Sequence, residues 1–194
     1  GVNVTVGSSF NTPYFQNFDS FALCSDDADC ESVVCSLQQG WHNEANLITD
    51  AIDFRTYTGA TPTSNTGPSQ DHTSGSGNYL YLESSACFFK YSLLKSPCIN
   101  VKDANQELTF WYHMYGFEIG RLQVDVIYDG KIDLDVMTAI EGNQGNLWKQ
   151  KRIDLSKYNG HDIVVQFRVQ TGLWHRGDIA IDDGTISLVG NVEH

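Results

Sequence analysis

Leu108-Thr109-Phe110-Trp111-Tyr112-His113-Met114-Tyr115 decides the fold. Leu108, Phe110, Tyr112 and Met114 fall on one side of a period-2 chain, and Trp111, His113 and Tyr115 on the other. Successive side chains of a β-strand point to opposite faces, so this alternation predicts a strand with one face against a core. The pattern returns at Arg121–Tyr128, where Leu122, Val124, Val126 and Tyr128 oppose Gln123 and Asp125. It returns again at Ile163–Gln170, where Ile163, Val165, Phe167 and Val169 oppose Gln166, Arg168 and Gln170. One buried and one wet face per strand is the pattern of an antiparallel sandwich. If these three strands were adjacent, their outward residues would form one aromatic and polar surface.

Further strands are expected at Tyr14–Phe21, Ile52–Tyr57, Tyr79–Glu83, Phe88–Leu94, Ile132–Thr138, Trp148–Leu155 and Ile179–Leu188. Helical signals are almost absent, and Asp129-Gly130 is a two-residue hairpin signal. Many short strands between turns predict an all-β chain, an antiparallel two-sheet sandwich or jelly roll. With no internal repeat or linker, the 194 residues read as one domain over 1–194, its core spanning about 14–189.

The chain carries 12 basic and 24 acidic residues, a formal net charge of -12. That balance argues against nucleic acid and anionic membranes as partners, and it suits a calcium-rich exterior. No apolar run is long enough to span a bilayer, so membrane insertion is not expected. The absence of a signal peptide is consistent with a mature or excised chain, and His194 with the start of a purification tag. Cys24, Cys30 and Cys35 crowd one acidic loop, whereas Cys87 and Cys98 flank a hairpin-like stretch and would pair across it. Close cysteine spacing favours an oxidising, extracellular setting, with five buried free thiols as the alternative.

Residues 58–78, rich in Gly, Thr, Ser, Asn and Pro, are about as long as a loop can be without being functional or tied down. They hold Gly67-Pro68-Ser69-Gln70-Asp71-His72-Thr73, one of two acid-bearing segments that stand out; the other is Asp178-Ile179-Ala180-Ile181-Asp182-Asp183. In chain order these join Phe18-Asp19, Gly40-Trp41-His42-Asn43, Asp50-x-x-Asp53-Phe54, Gly77-Asn78-Tyr79-Leu80-Tyr81-Leu82-Glu83-Ser84, Leu94-Lys95-Ser96-Pro97, Leu108–Gly116 and Gly120-x-Leu122-x-Val124. With this ordered set the chain resembles the MAM domain (meprin, A5 protein, receptor phosphatase mu), especially the versions appended to secreted bacterial proteins. The likeness runs from about Phe18 to Leu188. It departs from the family at Asp19, where Glu is usual, and in the extra Cys24–Cys30 loop.

The resemblance implies a jelly-roll sandwich, an extracellular location and a binding or adhesive role without catalysis. Asp19, Asn43, Asp50, Asp71, Asp182 and Asp183 lie at element ends within the matching motifs. Calcium takes six to eight oxygens and relieves repulsion between gathered carboxylates, so a structural Ca2+ held by Asp19, Asn43, Asp50, Asp71 and Asp182 is expected. The alternative is turn-forming aspartates bonded to nearby N–H groups. Asp26-Asp27-x-Asp29 lacks EF-hand spacing and reads as a solvated loop. His72 and His113 read as structural hydrogen-bonding groups.

For ligand binding, Trp174-His175-Arg176 stands in a turn between Gly172 and Gly177, outside the shared motifs. Trp111, Arg168 and Tyr57 are further candidates, although Trp111 is expected to pack beneath a loop. H-E-x-x-H, G-x-S-x-G and a phosphate loop are all missing from the sequence. The reading is a non-catalytic extracellular module within a multidomain protein. Its ligand is expected to be a polysaccharide, or alternatively a cell-surface or secreted protein.

Overall fold

The computed structural model describes residues 9–24, 35–44 and 52–190. Its strands are β1 (Ser9–Asn11), β2 (Tyr14–Gln16), β3 (His42–Asn43), β4 (Arg55–Thr58), β5 (Asn78–Leu82), β6 (Tyr91–Lys95) and β7 (Cys98–Asn100). They continue with β8 (Gln106–Met114), β9 (Arg121–Tyr128), β10 (Lys131–Asp133), β11 (Ile140–Glu141), β12 (Lys149–Asp154), β13 (Asp162–Gln170) and β14 (Ile179–Leu188). Among the described residues these strands form an eight-stranded and a six-stranded sheet. The first is centred on β13, which pairs with β9 along one edge and with β7 and β6 end to end along the other. The second is centred on β14, paired with β8 on one side and with β5 and β2 on the other. This is the all-β jelly-roll sandwich that the alternation implies.

The two longest alternating strands meet across the core. Phe110 of β8 packs edge-on against Phe167 of β13, ring centroids 5.1 Å apart, and Trp41 stacks on Phe167 from the side. Leu122, Val124, Val126, Ile163, Val165 and Val169 line this core from one sheet, and Leu108, Met114, Ile179 and Ile181 from the other. Strand ends fall where residues adopt left-handed backbone angles. The strand expected over Tyr14–Phe21 stops at Gln16 because Phe18 has φ 61° and closes a turn to Phe21. The one expected over Phe88–Leu94 starts at Tyr91 because Ala86 and Phe89 have positive φ.

The condition of adjacency is not met: the outward residues of β8, β9 and β13 do not share a surface, because β8 belongs to one sheet and β9 and β13 to the other. Nor is the outer face of β9 and β13 wet: Gln123, Asp125 and Gln166 are buried. The strand expected over Ile132–Thr138 ends at Asp133, and Asp135, at φ 56°, turns the chain back over that face. The Asp135 N–H donates to Asp125 Oδ1, and Arg168 clamps Asp125 with Nε at 3.0 Å and Nη2 at 2.9 Å while also reaching Asp135. Burial works against the Asp125 charge, yet these donors and Gln166 hold its carboxyl below the usual range.

Cys87 and Cys98 do not pair. Cys98 is a free thiol, Cys87 is disulfide-bonded elsewhere, and Cys24 is joined to Cys35. Strand β6 lies between Cys87 and Cys98, carrying the chain about 16 Å, whereas a disulfide needs Cα atoms within about 7 Å. The neighbours of Cys87 bond to the end of β13 at Thr171 and Gly172, while Cys98 sits beside its beginning.

Removing the cation from a buried pair leaves a desolvated charge. Arg168→Ala is therefore expected to cost about 3 kcal/mol of unfolding free energy in urea titration. A loss below about 1 kcal/mol would mean that Asp125 finds other compensation.

Candidate functional site

Strand β14 carries a bulge. Asp182 faces Trp111 and Thr185 faces Thr109, so three steps on β14 match two on β8, and Asp183 takes φ 48°. In a regular strand Asp182 and Asp183 would point to opposite faces; the extra residue lets both serve the long loop between β4 and β5. His72 N–H donates to Asp182 Oδ2 at 2.9 Å, and His72 Nδ1 lies 2.6 Å from Asp183 Oδ2. The imidazole stacks on Trp111, centroids 3.7 Å apart and 17° from parallel, and Trp148 Nε1 donates to Gln70 O. Earlier in the loop, Thr66 Oγ1 donates to Tyr115 O and accepts from Asp178 N–H. Both acid-bearing segments thus meet in one clasp.

The expected metal ligands separate into two groups. Asp19 and Asp71 come together at Gly77, where a Cβ would lie 2.3 Å from Asp19 Oδ1 and 2.7 Å from Asp71 Oδ2, so only glycine fits between them. Asp71 is buried and its Oδ1 has no hydrogen-bond partner. Burial acts to raise its pKa, but N–H groups of Ser74, Gly77 and Gly75 outweigh that and hold the carboxyl below its usual range. Asp182 is buried beside Asp183 and Asp71, and burial first, then Asp183, pushes it up to about 8. Asn43 is spent elsewhere: its amide bonds Phe54 N, Phe54 O and Cys35 O. Asp50 and the Asp26–Asp29 loop lie outside the described residues. Among the described residues no three acids, histidines or cysteines form a ready metal cage, so a cation here would draw on backbone and water oxygens as well.

The other candidates divide in the same way. Trp111 lies under His72, and half-buried Tyr57 packs edge-on against Tyr79 and Tyr81 in an aromatic layer on the outer face of the six-stranded sheet. Arg168 is committed to Asp125 and Asp135. Trp174, His175 and Arg176 stand apart, at one end of the sandwich. There three loops are stitched together: Phe89 N–H donates to Gly172 O, Glu118 N–H to Arg176 O, and Ser84 Oγ to His175 O. Gly172 allows this approach, since a Cβ there would meet Glu118 O at 2.0 Å.

The stitched loops present Phe117 at 81 % exposure, Leu173 at 63 %, Phe89 at 57 %, Trp174 at 56 % and Phe88 at 42 %. The Phe88 and Trp174 rings stack, centroids 5.8 Å apart and 17° from parallel. Beneath them, fully buried Asp178 accepts from Ser84 N–H and Oγ; burial and the neighbouring Glu83 raise its pKa well above the usual range, which favours the neutral acid. Sequence reasoning found Trp174 but missed Phe88, Phe89, Phe117 and Leu173. Their signal was adjacency to Gly and to the turns that end strands, and only loop packing assembles them.

The MAM domain, meprin/A5/mu, matches residues 28–190. Neuropilin-1a of Danio rerio is 36% identical over 163 residues, covering 79% of this chain and 17% of that protein. MAM domain-containing protein 2 of Homo sapiens is 39% identical over 127 residues, 64% of this chain and 18% of that protein. The chain thus spans under a fifth of the length of these relatives. Among solved structures, the K1 cleaved adhesin domain of Lys-gingipain from Porphyromonas gingivalis W83 shares the fold, with TM-score 0.58 and 16% identity over 92% of this chain and 99% of that one.

His113 borders the clasp, with Nε2 3.1 Å from Asn146 Oδ1, and burial pushes its pKa down to about 4. A depressed base is neutral in the folded state, so its contribution is whole above about pH 6.5 and is lost as pH falls towards 4. Urea titration at pH 7 and pH 4 is expected to show a drop about 3 kcal/mol larger in the native protein than in His113→Gln. Equal drops would remove His113 as the source.

Proposed function

This chain belongs to the MAM domain family, meprin/A5/mu, and on that premise we propose that it is a non-catalytic extracellular binding module that docks on another protein through its aromatic tip. The observation that carries this reading is the exposed cluster Phe117, Leu173, Phe89, Trp174 and Phe88 on loops held rigid by mutual hydrogen bonds. Exposed apolar side chains gathered at one end of a domain mark an interaction site. Pre-ordered loops spare the entropy of arranging it on contact. Aliphatic Leu173 and exposed Phe117, with Phe88 and Phe89, suit a protein partner better than a sugar, whose pyranose faces want rings bordered by planar polar groups. The Cys24–Cys35 disulfide supports an oxidising, extracellular setting. A polysaccharide is the second reading, favoured by the near-parallel Phe88–Trp174 pair beside His175 and Arg176.

Calcium is the cation we assign to the clasp. Asp19 and Asp71 would hold it, their charges offset by the ion, with the unpartnered Asp71 Oδ1 as the oxygen that lacks another use. Its chemistry there is structural: fastening the long loop beside Asp182, which in turn seats His72.

An array of secreted and cell-surface ectodomains, run beside a polysaccharide array, tests the ligand class. Binding to one or more ectodomains is expected, weakened about thirtyfold by Trp174→Ala with Phe117→Ser, both exposed and so harmless to folding. Polysaccharide signals without ectodomain signals would replace the protein reading with the second one. For the cation, calcium at about one hundred times its Kd should add about 2.7 kcal/mol and raise Tm by roughly 5–10 °C, an effect absent in Asp71→Asn. A chelator that leaves Tm unchanged, with no metal by elemental analysis, would sink that assignment.

A further inference from the structure

Two buried acids stand at the root of the tip. Asp178, just ahead of β14, is fully buried, and Glu83, just after β5, is 3 % exposed. Glu83 Oε1 accepts from Ser85 N–H at 3.0 Å and Oε2 from the Tyr81 hydroxyl at 3.3 Å. Asp178 Oδ1 accepts from Ser84 N–H and Oγ, but Oδ2 meets no donor. Among the described residues neither acid enters an ion pair. Arg55 of β4 lies over the Tyr81 ring, 5.5 Å from its centroid. Burial keeps the phenols of Tyr79 and Tyr81 neutral, and likewise His113, which pairs with Ala180 across β14. From the long loop come the hydroxyls of Thr61 and Thr66, already bonded to Thr66 O and Tyr115 O. Glu118 turns its carboxylate to the Arg176 N–H, and His175 offers its backbone carbonyl to Ser84.

Two carboxylates buried side by side without a cation repel strongly. Burial first, then the charge of Glu83, raises Asp178, and a hydrogen bond joins the two carboxyls. Two carboxylates are both acceptors, so that bond needs a proton on one of them, and the free Asp178 Oδ2 has room for it. We propose that Asp178 and Glu83 share one proton as a latch, which keeps the tip in its docking shape while the proton is present and loosens it as rising pH removes it. The role in docking rests on the reading of the tip as a protein-docking face. Transmission runs through Ser84, the residue after Glu83. Its hydroxyl is shared between Asp178 Oδ1 and His175 O and accepts from Gly177 N–H at 3.0 Å, and its carbonyl accepts from Cys87 N–H, one residue before Phe88. Gly177 packs against Glu118 O, next to Phe117, so closely that a Cβ would lie 2.7 Å away. Acids pushed apart therefore disturb the roots of all three tip loops. A carboxyl raised in the folded state contributes stability that is whole below about pH 4 and is lost as pH rises through its folded value, so docking is tightest on the acid side.

Amide hydrogen exchange of the whole chain, resolved by NMR at about pH 5.5 and about pH 8.5, reads the latch without any partner. Protection factors, corrected for the intrinsic pH dependence of exchange, are expected to fall at least about tenfold at the higher pH for Ser84, Cys87 and Gly177, relative to the central amides of β13. Asp178→Asn imitates the protonated acid, because its amide can donate to Glu83, and should keep its protection at both pH values. Glu83→Gln makes the same bond from the other side and serves if the first variant fails to fold. Native protection that holds across the range overturns the latch, and so does an equal fall in the variant. An ectodomain that binds the native chain should bind at least about tenfold more weakly at the higher pH, with that loss absent in Asp178→Asn; an equal loss in the variant overturns the control of docking. The two readings fail separately: a chain that binds no ectodomain at either pH loses the docking face, whereas exchange that ignores pH removes the latch and leaves the docking face standing.

Discussion

Two neighbouring carboxylates pointing the same way are the constraint on which this domain is arranged. Strand geometry would send Asp182 and Asp183 to opposite faces, and the bulge in β14 prevents it. Once both face the long loop, they accept from the backbone and the ring of His72, and the ring settles on Trp111. A segment of nearly twenty residues with little internal structure is thereby fixed across the sheet. Its earlier part then supplies Thr66 to Tyr115 and Asp178, reaching the root of the aromatic tip. The same gathering of acids raises Asp182 by burial and by the charge of Asp183 and brings Asp19 to Asp71, which is the electrostatic reason for assigning a cation there.

Polar groups have a second structural use on the opposite face of the sandwich. Gln123, Asp125, Gln166 and Arg168 alternate with core residues, as surface residues do, yet the chain after β10 folds over them. A bidentate arginine on a buried carboxylate gives this covering a fixed register, because the planar fork accepts one orientation. The fork commits Arg168 to Asp125 and Asp135. At the end where the loops converge, by contrast, the exposed residues Phe88, Phe89, Phe117, Leu173 and Trp174 are apolar.

The two ends of β13 differ in character. Leu173, Trp174, His175 and Arg176 lie past its last residue; Lys157 and Tyr158, which border a groove with Ile132, Leu134, Asp133 and Asp154, lie before its first. A strand pairs side by side and leaves its two ends to loops, so loop sequences at opposite ends are free to differ in character.

Much was legible from the chain alone. Period-2 alternation is local, and it marked β8, β9 and β13 and the inward residues of each; β14 and the Asp129-Gly130 turn that joins β9 to β10 were legible as a strand and a hairpin signal. The exposed turn at Trp174 was equally readable, because glycines bracket it. Sheet membership was not: alternation leaves open whether β8 lies beside β9 and β13, because pairing partners are chosen by contacts far apart in sequence. The buried outer face, the separation of Cys87 from Cys98 and the commitment of Asn43 to Phe54 follow from the same long-range packing. The sequence by itself determined which residues turn inward and that the chain is a two-sheet sandwich of the MAM family, because side-chain alternation and motif order are properties of neighbours. Only the tertiary structure decided that Asp182 and Asp183 act together, that Arg168 is spoken for and that five scattered apolar residues form one tip, because each depends on where a bulge or a returning loop places groups that the chain keeps far apart.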